Sequence, residues 1–288
     1  MEIYSQTEQK IIEALGEFQF LTSSQMVRLG ITKTRKGVYK SLANLVNSQR
    51  PLVARLNYEI SPLNGRPEAI HYLTHFGVRL LEENLEADEI KAPRRVAVAF
   101  TSDYKHRVSV INLFIDLRKW ADEQGYQIDH TSFYFEQNAG SNRHNKGGKS
   151  LADNRLDIGK GGIDYIIPDG VAIVDRGEKK PLFAMIEQHN GKDAKRFLKQ
   201  AYGHTLAISE GLPSIKYDVK HDGDYVANRV FCVFEHPACM ASAMYRLAKS
   251  EDFQPFLPLF CFKSEEAMEK TGFGTGWVLA NGKPASFA

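Results

Sequence analysis

The chain has 288 residues, 43% hydrophobic and 25% charged, with a formal net charge of +2. This is ordinary globular composition, enough for a sizeable core and, at roughly 150 residues per domain, for about two domains. It excludes a polycation acting through net charge alone, and no run of about 18 apolar residues suggests a membrane span. Cys232, Cys239 and Cys261 are odd in number and lack Cys-x-x-Cys spacing, so thiols in a reducing compartment are expected. Met1 to Gln6 carries neither a basic region nor an apolar segment of a signal peptide, and the expected location is the cytoplasm.

Residues 7–20 open with Thr7 as a candidate N-cap, then place Ile11, Ile12, Leu15 and Phe18 at helical spacing. Leu21 to Met26 restarts a helix behind hydroxyl caps, and Gly30 stops it. A third helix runs from about Thr34 to Asn47, with Val38, Leu42, Leu45 and Val46 on one face. Two short strands follow, Val53–Tyr58 and Ala69–Leu73, joined by the turn-rich Ser61-Pro62-Leu63-Asn64-Gly65-Arg66-Pro67. Thr74 caps a helix of about Phe76 to Asn84. From Phe18 through Tyr58 there is no Asp or Glu, whereas Arg28, Lys33, Arg35, Lys36, Lys40, Arg50 and Arg55 all occur. Phosphate binding needs such a local positive field, and acids cancel it. Lys33, Arg35, Lys36 and Lys40 open the third helix, where a recognition helix meets a groove, and Arg66 sits at the turn.

Residues 87–104 read as a linker, and a long helix spans about His106 to Gln124. A strand is expected over 127–137, then a long loop from Asn138 to Gly162 containing six glycines. A strand pair occupies about 164–174 and 181–189, followed by a basic helix of about Asp193 to Ser209 with Lys195, Arg196 and Lys199. A strand at 229–235, a helix at 238–249 and a strand at 257–262 close the pattern.

The strand pair carries the chemistry. Ile166-Ile167-Pro168-Asp169-Gly170 and Met185-Ile186-Glu187-Gln188-His189 are apolar runs ending near carboxylates, joined by the charged turn 175–180. A hairpin brings Asp169 and Glu187 close on one side, and paired carboxylates suit Mg²⁺ or Mn²⁺ because hard cations take oxygen ligands. His130, His144 and His204 show no metal-ligand spacing with one another and read as surface or core residues.

Helix, helix, helix, strand, turn, strand, helix is the order of a winged helix-turn-helix. The segment resembles the N-terminal winged helix of the replication-relaxation family of plasmid and phage proteins over roughly residues 7–88. The later order resembles the restriction-endonuclease-like core over roughly 105–263. There Pro168-Asp169 begins the Pro-Asp…(Asp/Glu)-x-Lys pattern and Glu187-Gln188-His189 stands where Glu-x-Lys belongs. The fold expected is α/β (α+β): a winged helix over 1–90, a linker over 91–104, and a nuclease-like mixed-sheet core over 105–288.

Within the family the chain resembles the MobC-type mobilisation relaxases. That resemblance implies a metal-dependent nickase acting at a plasmid transfer or replication origin. It implies double-stranded DNA with a nicked or melted origin as partner, with an accessory mobilisation protein and a coupling protein, and no membrane. Asp169 and Glu187 then hold the metal with the Gln188 carbonyl as third ligand, while Lys195 or Lys199 contacts phosphate. Gln200 and Tyr202 are further candidates on the same helix, and Asp116 or Glu123 a further acid. The departure is His189 in place of lysine. It leaves several readings open: a histidine that orients water, an extra metal ligand, a cation supplied by Lys192, Lys195 or Lys199, or a catalytically inactive site-specific DNA-binding initiator or regulator. Hydrolytic nicking fits better than a covalent tyrosine route, for which Tyr165, Tyr202 and Tyr217 stay open.

Overall fold

Reciprocal caps start the chain's first helices. Ser5 Oγ accepts the Glu8 N–H, and the Glu8 carboxylate accepts the Ser5 N–H at 2.8 Å. Thr22 and Gln25 repeat the arrangement. Each box satisfies orphan amide donors of a first turn. The structure, a computed structural model, describes residues 4–58, 66–83, 90–92, 103–136, 154–221, 224–225 and 227–286. The chain divides into two compact units, Met1–Ile115 and Asp116–Ala288.

In the first unit α1 (Gln6–Phe18) leads through β1 (Leu21–Thr22) to α2 (Ser23–Arg28) and α3 (Arg35–Asn47). β2 (Val53–Leu56), β3 (Ile70–Leu73) and α4 (His75–Glu82) follow. Ile11, Ile12, Leu15 and Phe18 of α1 and Val38, Leu42 and Leu45 of α3 are buried, as their 3.6-residue spacing predicts. The strands form an antiparallel sheet in the order β1-β3-β2, which places His71 at its centre, opposite Leu21 and Arg55. Residues 61–65 of the expected turn, and most of the expected linker, lie outside the described residues.

Gly77 marks the closest approach in this unit. A Cβ there would overlap the Leu52 carbonyl oxygen, which also accepts the Thr74 N–H. Alanine normally gains about 1 kcal/mol over glycine inside a helix. Gly77→Ala should nevertheless destabilise the protein by about 1–2 kcal/mol, because a backbone carbonyl cannot yield as a side chain can. A denaturant midpoint equal to or above wild type would contradict this packing.

The second unit begins within α5 (Tyr104–Gln124), whose Leu117, Trp120 and Ala121 are buried. β4 (Gln127–Phe133), β5 (Leu156–Lys160), β6 (Ile163–Ile166), β7 (Gly170–Arg176) and β8 (Lys179–His189) come next. After them come α6 (Ala194–Ser209), α7 (Leu212–Tyr217), the short β9 (Lys220–His221) and β10 (Asp224–Tyr225), and β11 (Ala227–Phe234). α8 (Pro237–Lys249), a 3₁₀ segment (Glu251–Leu259), β12 (Phe260–Ser264) and α9 (Glu265–Thr271) complete it. The main sheet has the order β12-β11-β8-β7-β4, parallel across β12, β11 and β8 and antiparallel across β8, β7 and β4. Its central strands β8 and β11 are buried along most of their length, as strands covered on both faces require. The fold is mixed α/β, and the three cysteines are buried thiols. No described helix is long and apolar enough to cross a membrane.

Several element boundaries differ from expectation: Ser5 rather than Thr7 caps the first helix, and the strand expected over 127–137 ends at Phe133. The first strand of the acidic hairpin starts at Gly170, while residues 163–166 pair instead with β5 around Gly161 and Gly162, both at positive φ. Pro168 has no N–H for a ladder, so the chain leaves one sheet before it and enters the next after it. Part of the expected loop is therefore strand, and its residues 137–153 lie outside the described residues. The last core strand begins at Phe260 rather than 257, because Pro255 and Pro258 hold the preceding residues in the 3₁₀ segment.

Candidate active site

The β7–β8 register ends with Gly170 opposite Ile186, so Asp169, the residue just before β7, reaches β8 at Gln188, next to Glu187. Both carboxylates are buried, Asp169 8% and Glu187 4% exposed. Asp169 Oδ2 accepts the Gln188 N–H at 2.7 Å, which fixes the carboxylate against β8. Strand alternation sends Gln188 to the opposite face, where its amide donates to Glu265 Oε1 at 2.7 Å.

α6 covers the Glu187 face. Gln200 and His204 are one turn apart on it, so both reach the same carboxylate. Gln200 Nε2 donates to Glu187 Oε2 at 3.2 Å, and His204 Nε2 lies 2.6 Å from Glu187 Oε1. A buried carboxylate needs such donors, since an unpaired one costs far more than a typical hydrogen bond contributes. A carboxylate this close favours a charged ring, yet His204 is 1% exposed and burial pushes its pKa down to about 4. Nε2 faces Glu187, and Nδ1 has no hydrogen-bond partner among the described residues.

Beside this cluster lies a cavity of about 300 Å³ between α6 and β6. Glu187, Gln200 and His204 form its polar part, Ile163, Tyr165, Ile166 and Ile167 its apolar wall, and Arg196 and Lys199 its cations. Gly203 makes room for the wall, because a Cβ there would overlap Ile166 Cγ2.

His189 shares the Glu187 face but is not among the residues that line the cavity. Its ring packs against Phe234 at 5.1 Å and Phe197 at 6.0 Å and is 6% exposed. Burial first, and the Arg196 charge second, hold it below the ordinary histidine range. Lys195 is exposed in the first turn of α6, Asp116 is buried, and Glu123 is exposed. Among the described residues no group of three or more His, Cys, Asp or Glu could hold a metal ion.

His204 and Arg196 line the cavity with Glu187, a placement that no sequence motif announces. The available signal was a polar pair, Gln200 and His204, four residues apart on the face of α6 that also carries Phe197 and Ala201. Polar groups on such a face imply a buried partner.

In the first unit Lys33, Arg35, Lys36, Lys40, Arg55 and Arg66 are exposed, and Arg28 is half-buried. The outer face of α3 combines Arg35, Lys36 and Lys40 with Tyr39, which is 51% exposed. The acid-free stretch is not acid-free in space. Glu68, far along the chain, pairs with Arg35 at 2.9 Å and accepts the Ser24 N–H and hydroxyl.

Compared with protein-family models, the chain matches the replication-relaxation model over residues 12–200, a span that includes Asp169, Glu187 and Gln200 but stops short of His204. No curated protein and no solved structure matches it.

Proposed function

As the chain belongs to the replication-relaxation family, we propose that it is a DNA nickase of plasmid replication or mobilisation, with its site around Asp169 and Glu187. Family membership supports the plasmid role and association with DNA. The observation that carries the finer reading is Glu187, next to the Asp169-bound Gln188 N–H, lining a cavity together with Arg196 and Lys199. Neither cation has an ion-pair partner among the described residues. An oxygen-only donor pair suits a hard cation such as Mg²⁺ or Mn²⁺. Bound there with the Gln188 carbonyl, the ion would polarise a phosphate and acidify a water.

The chain's own residues supply the rest. Gln200 and His204 fix the Glu187 carboxylate, as outer partners fix ligands in metal sites. Lys199 and Arg196 bind the phosphate, and Lys195 a neighbouring one. His189, enclosed by Phe197 and Phe234, supports the strand end rather than handling a proton. The first unit acts as a winged helix-turn-helix, with α3 as recognition helix.

Incubation of supercoiled plasmid carrying the cognate origin with Mg²⁺ or Mn²⁺ should yield open circles with an unblocked 5′ end. A protein-blocked 5′ end would replace hydrolysis with a tyrosine route, and intact supercoils would sink the reading. The burial of His189 favours a second reading, a site-specific DNA-binding initiator or regulator without cleavage. It predicts origin binding and no open circles with either ion. In both readings Lys36→Glu with Lys40→Glu should weaken duplex binding and reduce the salt dependence by about two phosphate contacts. Unchanged affinity and slope would remove α3 from the interface.

A further inference from the structure

We propose that the cavity between α6 and β6 takes a single unpaired nucleotide of the DNA strand, its base in the slot and its phosphate on Arg196 and Lys199. This deepens the nickase reading by naming the substrate form the same site receives. At about 300 Å³ the cavity lies at the small end of ligand pockets, too small for a base pair with its backbone. Its walls divide by chemistry. Ile163, Ile166, Ile167 and Tyr165 offer the apolar and aromatic surface on which an extruded base packs. The Arg155 guanidinium stacks on the Tyr165 ring at 3.9 Å and holds it in place. The inner end carries His204, 1% exposed, whose Nδ1 has no partner among the described residues. A buried polar atom without a partner suits a hydrogen bond to a base edge. Lys199 and Arg196 sit on the helix at the same cavity, where the phosphate of an inserted nucleotide would arrive. Duplex DNA cannot present one base this way without unpairing it, so the pocket selects melted or single-stranded DNA.

The test uses the full chain in EDTA, with fluorescently labelled single-stranded 12-mers read by anisotropy. One probe carries bases throughout, and the other carries abasic residues at its centre, with the phosphates unchanged. The base-bearing probe should bind about tenfold more tightly. Tyr165→Ala should erase that preference while leaving the thermal midpoint near wild type, and Tyr165→Phe should restore it. Lys199→Gln should weaken both probes alike. Equal affinity of wild type for the two probes overturns the inference, as does a preference that survives Tyr165→Ala. Nicking is scored separately with divalent ion. Nicking without base preference removes the pocket and keeps the nickase, whereas base preference without nicking does the reverse.

Discussion

Glu187→Gln is expected to lower divalent-dependent nicking by about 10³-fold while the protein stays folded. Bringing a charged ligand to a phosphoryl centre is worth several kcal/mol, and roughly 4 kcal/mol corresponds to that factor. The substitution is chosen for what it preserves. The amide oxygen still accepts from His204 Nε2, and rotation of the Gln200 amide restores the second hydrogen bond. Only the charge is lost. Glu187→Ala makes a poorer experiment, because it strips the acceptor from two buried donors at roughly 1–3 kcal/mol each. Its loss of activity would then be confounded with loss of structure. Nicking rates on supercoiled plasmid, with melting curves on the same samples, check the prediction. Wild-type nicking by Glu187→Gln would remove Glu187 from the catalytic site.

The second large effect belongs to His71. It sits at the middle of β3 between β1 and β2 and is 3% exposed. Burial lowers its pKa to about 4. A hydrogen bond to the Leu21 backbone opposes the shift, and the nearby Arg55 charge adds to it. The folded pKa lies below the ordinary histidine value of 6.5. Between about 4 and 6.5 the unfolded chain therefore binds a proton that the folded chain refuses. Stability is fully present above 6.5 and is lost as pH falls towards 4, by about 3 kcal/mol at the limit. Urea midpoints measured across this window should fall with acid, and His71→Gln should flatten the fall. An NMR titration midpoint for the ring near 6.5 would refute the assignment.

Much of the architecture is legible in the chain because it is written locally. The apolar positions of α1 and α3 repeat at helical spacing, Thr34, Thr74 and Asp193 cap the helices they precede, and Asp169 and Glu187 end apolar runs. What was illegible depends on partners far along the chain. β5 and β6 hide in a glycine-rich stretch, because their alternating apolar residues, Leu156 and Ile158 then Ile163 and Tyr165, are few and are split by the positive-φ Gly161-Gly162 turn. The local charge pattern of α3 does not include Glu68, which reaches Arg35 from beyond the expected turn.

His189 and His204 mark the division most clearly. From the chain alone, His189 stands at a motif position and His204 at none. In space the first is enclosed by Phe197 and Phe234, and the second faces Glu187 in a cavity. The fold class and the family were readable from the chain, because periodicity, caps and a short motif are properties of neighbouring residues. Only the tertiary structure decided which histidine meets the acid and which cations meet the cavity. Those depend on strand register and on the face that α6 turns to the sheet, and non-local packing sets both.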